Sequence, residues 1–229
     1  MSEKVNEKIA EILYDLEHKS EHMFPHIHGD CDLTHFEHCF GYVNLNISKH
    51  DDPMFVSGSV KYLDVDGHGL WMEFGVFGGK TMSTIANCNP AQTIYGFDSG
   101  EIPDKIFRGA NVIHGTPYQD WNPNITLING LFDDTLPDFA VEHAGLVAFM
   151  HINCDLYSSC EMILQTFTGR IVPGTIICFC NWCGYQQTTN VDHDVKAFAE
   201  FLLKTGLGFK PISYQTDEHY SQAGFLITE

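Results

Sequence analysis

The chain has 229 residues, of which 44% are hydrophobic and 13% aromatic, so it is long enough to bury a core without disulfide or metal support. Its formal net charge of -18 would repel the backbone of DNA or RNA and an anionic membrane surface, which disfavours both as partners. Neutral or cationic small molecules are therefore the expected ligands.

The first residues are polar, and no apolar run approaches the length of a membrane span, which predicts a cytoplasmic protein. The chain contains eight cysteines. Cys154, Cys178 and Cys180 lie in or beside apolar strand-like runs, and Cys160 lies in a predicted helix. In a reducing compartment these residues are expected to be thiols that pack as small hydrophobic side chains.

The N-terminal part of the chain divides into a helix and an irregular segment. Residues 3–20 are predicted to be an amphipathic helix, because apolar residues recur at helical spacing at Val5, Ile9, Ile12, Leu13 and Leu16. Residues 22–50 are irregular. Their histidines and cysteines match no standard zinc module, so a lid over a ligand site or a contact in a homo-oligomer is favoured over a metal site; the residues concerned are His18, His22, His26, His28, Cys31, His35, His38 and Cys39. We therefore separate residues 1–65 from a ligand-binding domain at 66–229.

From residue 68 onward, short apolar runs alternate with helical stretches. This alternation predicts an α/β fold with a doubly wound, mostly parallel sheet and helices on both faces. Such sheets bind ligands at the carboxyl ends of their strands. Strands are predicted at 70–74, 93–97, 125–128, 146–152, 175–179, 209–214 and 223–227, and helices at 81–86, 158–167 and 191–204, the second of them starting with a capping box at 158–161.

The first strand ends in a glycine-rich turn, EFGVFGG, at residues 73–79. Glycines let the backbone approach a ligand closely, and the N-terminus of the following helix offers free N–H groups. Asp98 ends the next strand about twenty residues later, where a carboxylate can accept hydrogen bonds from the two hydroxyls of a ribose. The turn lacks the three-glycine spacing of a dinucleotide-binding loop, so a nucleoside without a pyrophosphate is predicted, and S-adenosylmethionine (SAM) is such a ligand.

Four segments follow one another in the order found in a known family. They are EFGVFGG at 73–79, YGFDS at 95–99, GLFDDTLP at 130–137 and HINCDLYSS at 151–159. Through these segments the chain resembles the macrocin O-methyltransferase (TylF-like) family of class I SAM-dependent methyltransferases. The resemblance implies a Rossmann-like, seven-stranded class I methyltransferase fold with an antiparallel C-terminal strand, which binds SAM and releases S-adenosylhomocysteine.

The resemblance also implies roles for individual positions. The glycine-rich turn would hold the methionine part of SAM, Asp98 and Ser99 the ribose, and the segment from Gly130 the adenine. The loop at 153–157 would line the reaction centre, with Asn153 and Asp155 as catalytic candidates. The cofactor-binding candidates are Glu73, Gly75, Val76, Phe77, Gly78, Gly79, Thr81, Asp98, Ser99, Gly130, Leu131, Phe132, Asp133, Asp134 and Asn153.

Three positions depart from the family pattern. Asn153 stands where the family carries Asp, and Cys180 and Asn181 stand where it carries an acidic pair; the family's acids bind a divalent metal that activates an acceptor hydroxyl. Magnesium prefers anionic oxygen ligands, and a thiol sulfur is soft. A magnesium site is therefore not expected, and no metal ligand is assigned. O-methylation of a small molecule is favoured, with N-methylation left open.

His193 precedes the helix predicted at 191–204 and is the candidate general base, because imidazole titrates near neutral pH. The alternative is that His193 only caps its helix and faces solvent. His151 is expected to be structural. Cys178, Cys180 and Cys183 are interpreted as thiols and not as metal ligands, and Tyr157 and Tyr185 as candidates for the acceptor pocket or for simple packing.

Three functions remain open on this basis. The favoured one is a methyltransferase enzyme. The second is a catalytically silent SAM-binding protein that acts as an interaction or regulatory module, an alternative motivated by the changed metal positions. The third is an enzyme that uses a softer metal held by Cys180 and the His-rich segment.

Overall fold

The computed structural model describes residues 2–19, 22–23, 69–77, 79–100, 122–182, 191–216 and 221–229. Within these residues the chain forms five helices and eight strands. The helices are α1 (Glu3–Lys19), α2 (Lys80–Cys88), α3 (Phe132–Glu142), α4 (Tyr157–Thr166) and α5 (Asp194–Thr205). The strands are β1 (His22–Met23), β2 (Leu70–Phe74), β3 (Ile94–Asp98), β4 (Ile125–Asn129), β5 (Val147–Ile152), β6 (Ile176–Phe179), β7 (Gly208–Thr216) and β8 (Ser221–Thr228).

All the described strands belong to one sheet, in the order β4-β3-β2-β5-β6-β8-β7-β1. Neighbouring strands are parallel, except that β8 runs antiparallel to both β6 and β7. Apart from the two-residue β1, this is the predicted seven-stranded Rossmann-like sheet, and the antiparallel C-terminal strand is confirmed. The winding direction reverses between the neighbours β2 and β5, which is where doubly wound sheets open a ligand crevice.

The strands at the centre of the sheet are covered on both faces. Every residue of β2, β5 and β6 is buried, which is typical of parallel strands with helices on both sides. One face lies beneath α1, α3, α4 and α5 and carries the larger apolar cluster, with fully buried rings such as Phe179 and Phe198. The other face lies beneath α2, which contributes Met82 and Ile85.

Helix α1 is part of this same core. Its buried residues recur at helical spacing, as predicted, at Val5, Ile9, Ile12 and Leu16. The helix contacts α5 and β7, and β1 pairs in parallel with β7. The expected boundary at residues 65 and 66 lies outside the described residues, as does the part of the His-rich segment that runs from His26 to Cys39.

Two helices differ from the sequence-based expectation. Helix α3 is absent from the predicted helices, and it forms although it contains Pro137, a residue that normally breaks a helix. The proline is exposed, as is Asp133 one turn earlier, whose carbonyl loses its helical donor, while the buried Leu136 and Phe139 hold α3 on the sheet. The capping box is also wrong, because α4 begins at Tyr157 and no side chain caps it.

None of the helices in the described part of the chain combines the length and the apolar character needed to cross a membrane.

Candidate functional site

The candidate site lies at the carboxyl edge of the sheet, on both sides of the switch point. Four backbone hydrogen bonds extend the parallel pairing just beyond the strands: Gly75 N–H to Phe97 O at 2.8 Å, Asn153 N–H to Phe74 O at 2.8 Å, Cys180 N–H to Ile152 O at 2.8 Å and Gly130 N–H to Asp98 O at 3.0 Å. The loops after β2, β3, β4, β5 and β6 therefore begin side by side. The predicted cofactor and catalytic segments fall on these loops.

The glycine-rich turn after β2 requires glycine for two physical reasons. Gly75 has φ +88°, and a Cβ placed there would lie 2.2 Å from the carbonyl oxygen of Asn153. The turn closes with Gly79 at φ +74°, directly before α2. Between them, Phe77 is the one non-glycine residue with positive φ, 45°, among the described residues, and its side chain is 62% exposed. Gly78 lies outside the described residues.

Asp98 ties this turn to the end of β3. Its Oδ2 accepts hydrogen bonds from the backbone N–H groups of Val76 and Phe77, both at 2.8 Å, and its Oδ1 accepts one from Gly100 at 2.7 Å. A carboxylate offers about four acceptor positions, so a ligand hydroxyl can still be bound. Ser99 follows Asp98 at the same edge and is half-buried. The carboxylate thus shapes the turn.

Glu73 lies below the turn and is completely buried, as is His151 on the neighbouring strand. Glu73 Oε1 accepts a hydrogen bond from the Thr81 hydroxyl and lies 2.7 Å from His151 Nδ1. Thr81, in the first turn of α2, is only 2% exposed. Glu73 and Thr81 therefore support the turn from within and do not form its outer surface, and the arrangement agrees with a structural role for His151.

The segment after β4 lies next to Asp98, because the Gly130 N–H donates to the Asp98 carbonyl oxygen at 3.0 Å. Gly130 has φ +142°, and Leu131 is 58% exposed at the start of α3. Phe132 turns inward instead, with its ring edge-on to Phe74 at 5.9 Å between centroids. Asp133 is exposed in the first turn of α3, as is Asp134. Leu131 and the two aspartates are thus free to face a ligand, whereas Phe132 anchors the helix.

The loops after β5 and β6 form the other half of the site. Asn153 and Asp155 are half-buried, whereas Cys180 and Asn181 are buried. Asn181 Nδ2 donates to Asp155 Oδ1 at 3.2 Å, and Gln222 Nε2 donates to Cys180 Sγ at 3.2 Å. An amide N–H directed at the carboxylate and a buried thiol do not make a magnesium donor set.

His193 lies between these loops and α5, where it is the N-cap residue. Its Nε2 is 2.8 Å from the carbonyl oxygen of Asp155, and its Nδ1 is 3.2 Å from Asp194 Oδ1. Burial lowers the pKa of His193, but Asp194 and the backbone of Asp155 and Asn181 outweigh it and raise that pKa to about 9. Nε2 is taken by the Asp155 carbonyl oxygen, and Nδ1 is buried beside Asp194 without a hydrogen-bond partner among the described residues, so the geometry offers no ring nitrogen to an acceptor proton and disfavours the base hypothesis. The alternative of a solvent-facing cap is wrong as well, because the residue is 8% exposed and its side chain makes no capping hydrogen bond to α5.

The other titratable groups near this loop are poor nucleophiles or bases. Burial, and secondarily Asp194, raises the pKa of both Cys154 and Cys160 well above the usual value. Burial and the neighbouring Glu200 also raise the pKa of Tyr157, whose hydroxyl donates to Glu200 Oε2 at 2.6 Å. These groups remain protonated at neutral pH.

The described cysteines are thiols, four of them buried: Cys154, Cys160, Cys178 and Cys180. This confirms the prediction for those four positions. Within the described ranges, no group of three His, Cys, Asp or Glu side chains is arranged to hold a metal ion. His18 is engaged on its own helix, with Nδ1 2.9 Å from the carbonyl oxygen of Tyr14. Cys183 and Tyr185 lie outside the described residues.

Two buried polar residues were missed by sequence reasoning. Asp194 is completely buried at the first position of α5, and Gln222 is completely buried on β8. The signal for Asp194 was its place beside a histidine at the start of an apolar helix. Gln222 gave no such signal, because an isolated glutamine in a C-terminal strand is usually exposed.

No model of a known protein family matches the chain. No curated protein matches it either. The fold, however, has solved relatives. CalS11, a TDP-rhamnose 3'-O-methyltransferase of calicheamicin biosynthesis, is 18% identical with a TM-score of 0.54, and the match covers 99% of this chain and 95% of CalS11.

Two further O-methyltransferases share the fold. NovP is 17% identical with a TM-score of 0.52, over 77% of this chain and 78% of NovP. TomG from Streptomyces achromogenes, involved in tomaymycin synthesis and solved in complex with SAM, is 12% identical with a TM-score of 0.51, over 85% of this chain and 95% of TomG. At these identities the likeness establishes architecture: the chain has the Rossmann-like fold of class I methyltransferases.

Proposed function

We propose that this protein is a SAM-dependent methyltransferase that acts on a small-molecule acceptor. The observation that carries the proposal is the pairing of the glycine-rich turn with Asp98 at the switch point of a methyltransferase sheet. The four segments that resemble the TylF-like family support the finer assignment. The net charge of -18 favours a neutral or cationic acceptor over a nucleic acid.

The residues present fit SAM. At Gly75 the backbone of the turn packs directly against that of Asn153, and the spare acceptor capacity of Asp98 suits a ribose hydroxyl. Gly130 is hydrogen-bonded to the Asp98 backbone, and this brings the exposed Leu131 close to Asp98. The Leu131 side chain would cover the adenine there. SAM supplies a methyl group on a sulfonium, which is a good leaving group. The protein has to position the acceptor and to exclude water.

The acceptor side supports a metal-independent reaction. Asn153 and Cys180 bring no anionic oxygen, and the Asn181 amide is spent on Asp155. His193 contacts the Asp155 carbonyl oxygen through Nε2, and its Nδ1 is buried beside Asp194. An acceptor that needs little activation, such as a neutral amine or a phenol, fits these residues better than an alkyl hydroxyl. Asn153 and Asp155 would position it by hydrogen bonds.

The second candidate function is a SAM-binding protein without catalysis. It is favoured by the same departures at Asn153, Cys180 and Asn181. In the TylF-like family, which the chain resembles, the acidic residues at these positions bind the metal that activates the acceptor. Such a protein would keep the cofactor half of the site and use SAM as a ligand that stabilises one conformation.

Calorimetry with SAM and S-adenosylhomocysteine tests the shared part of both proposals. We expect 1:1 binding to the full chain; failure of both ligands to bind would overturn both functions. Formation of S-adenosylhomocysteine is then measured across a panel of amines, phenols and sugar hydroxyls. Turnover with any acceptor supports the enzyme. Tight binding with no turnover on the whole panel supports the silent protein.

A further inference from the structure

The start of α5 carries a buried ion pair outside the cofactor half of the site. Asp194 is completely buried and His193 is 8% exposed. The two side chains approach to 3.2 Å between Nδ1 and Oδ1. Placing a carboxylate in the interior is costly unless a positive charge stays beside it. An adjacent imidazole is the charge available among the described residues around it.

The contacts of the ring define its protonation. The carbonyl oxygen of Asp155, 2.8 Å from Nε2, can only accept a hydrogen bond, so Nε2 must carry a proton. Nδ1 faces a carboxylate oxygen, which also favours a proton on the nitrogen. Nδ1 and Asp194 Oδ1 are both buried and have no hydrogen-bond partner among the described residues, so a neutral ring would leave the carboxylate without compensation, whereas a charged ring stabilises it as an ion pair at 3.2 Å. The geometry therefore favours the imidazolium form.

This ring joins three parts of the chain. Nε2 holds the loop after β5 through Asp155, and Asp155 in turn accepts from Asn181 after β6 at 3.2 Å. Beside it, the Val195 N–H donates to the carbonyl oxygen of Trp182 at 3.2 Å, which ties α5 to the same loop after β6. The three elements are separated in sequence. The imidazole contacts the backbone of the β5 loop from the start of α5, and Tyr157 at the end of that loop reaches Glu200 further along α5.

We infer that His193, held by Asp194, is a positioning residue: as a fixed imidazolium it clamps the loop at 153–156 against the start of α5 and so sets the place of Asn153 and Asp155. The role assigned to that loop rests on the proposed function, but the clamp itself does not. His193 gives up no proton in this role. Asp194 keeps the ring charged and oriented.

The clamp is tested on the full chain by two measurements that need no acceptor. Long-range ¹H–¹⁵N NMR at pH 7.5 reports the protonation of each ring, and we expect both nitrogens of His193 to carry protons. Asp194→Asn should convert the ring to a neutral tautomer. A wild-type His193 with one protonated nitrogen at this pH would overturn the inference.

Amide hydrogen exchange tests the mechanical part. His193→Gln should raise exchange at residues 153–157 at least tenfold and leave β3 unchanged. The matched control is His143→Gln, because the His143 ring also contacts a backbone carbonyl, that of Phe139 at 3.2 Å, but lies at the end of α3. Unchanged exchange at 153–157 in a folded His193→Gln protein would overturn the clamp. If that variant does not fold, the wild-type NMR result and Asp194→Asn still decide.

SAM calorimetry on the same variants separates the two proposals. Binding within twofold of wild type in His193→Gln, together with faster loop exchange, is the expected result, since the polar contacts of His193 among the described residues are with Asp155, Asn181 and Asp194. Absence of SAM binding in the wild type would remove the proposed function and leave the clamp standing. An equal loss of SAM binding and loop order in His193→Gln would contradict a role confined to the acceptor side.

Discussion

The two halves of the site are built from different materials. The cofactor half, after β2 and β3, is made of backbone: glycine conformations, a close Gly75–Asn153 approach and main-chain N–H groups gathered by one carboxylate. The proposed acceptor half, after β5 and β6, is made of half-buried and buried side chains next to the buried His193–Asp194 pair. A site formed by main-chain groups suits a ligand that is the same in all relatives. A site lined by side chains can adapt to different ligands through single substitutions.

Because it depends on glycine conformations, the proposed cofactor half should lose more folding stability on substitution than the acceptor half. Gly75→Ala should destabilise the fold by about 3–5 kcal/mol, because left-handed strain adds to a backbone clash that cannot relax. Gly174→Ala is the matched control, since Gly174 has φ +100° but open space around it. It should lose only the strain, about 1–2 kcal/mol. Denaturant unfolding measures both, and equal losses would contradict the steric argument.

Asp98→Ala should weaken SAM binding by about 1–3 kcal/mol, the scale for removing a buried charged hydrogen-bond partner. Both the turn and the expected ribose contact depend on this carboxylate. Asp138→Ala, at an exposed position of α3, is the control and should bind normally. Calorimetry at constant pH makes the comparison. Wild-type affinity in Asp98→Ala would show that the ligand lies elsewhere.

The acceptor half should make stability depend on pH. The pKa of His193 is raised from 6.5 to about 9, so its contribution is fully present below about pH 6.5 and is lost as the pH rises through 9. Burial raises the pKa of Asp194, which acts in the same direction. The groups that face the pair from other elements are Asp155, Cys154 and Cys160. We expect the free energy of unfolding to fall by about 1–2 kcal/mol between pH 6.5 and 9.

His193→Gln isolates that contribution, because it removes the ring and keeps the neighbouring thiols and carboxylates. Its stability should change less across this pH interval than that of wild type, while His143→Gln should follow wild type. Urea unfolding at a series of pH values provides the data. Parallel curves for His193→Gln and wild type would mean that the ring is neutral in the folded protein.

The smallest expected effect is that of metal removal. Since Asn153, Cys180 and Asn181 do not form a magnesium donor set, turnover of SAM should survive excess EDTA and gain nothing from added magnesium. Metal analysis of protein purified without a His tag tests for a softer metal. Activity that disappears with EDTA and returns with magnesium alone would show that anionic ligands lie in residues beyond those described.

The two halves also differed in how far the sequence predicted them. The glycine-rich turn, Asp98 and the strands are local patterns, so they could be recognised from spacing. The partners of these residues could not. The Glu73–His151 contact joins positions 78 residues apart, and the His193–Asp155 contact joins positions 38 residues apart. The base hypothesis for His193 followed from its chemistry alone and did not include the carbonyl oxygen that Nε2 contacts or the burial of Nδ1 beside Asp194.

By itself the sequence determined the fold class, the amphipathic face of α1 and the position of the glycine-rich turn, because periodicity, glycine and strand-end acids act over a few residues. The tertiary structure decided what each polar side chain touches. Tertiary packing buried Glu73 and Asp194, and it held α3 on the sheet in spite of Pro137. It also brought the Asp98 carboxylate to main-chain N–H groups. The physical reason is that the order of strands in the sheet sets these contacts. β2 and β5 are neighbours in the sheet although they are far apart in the sequence.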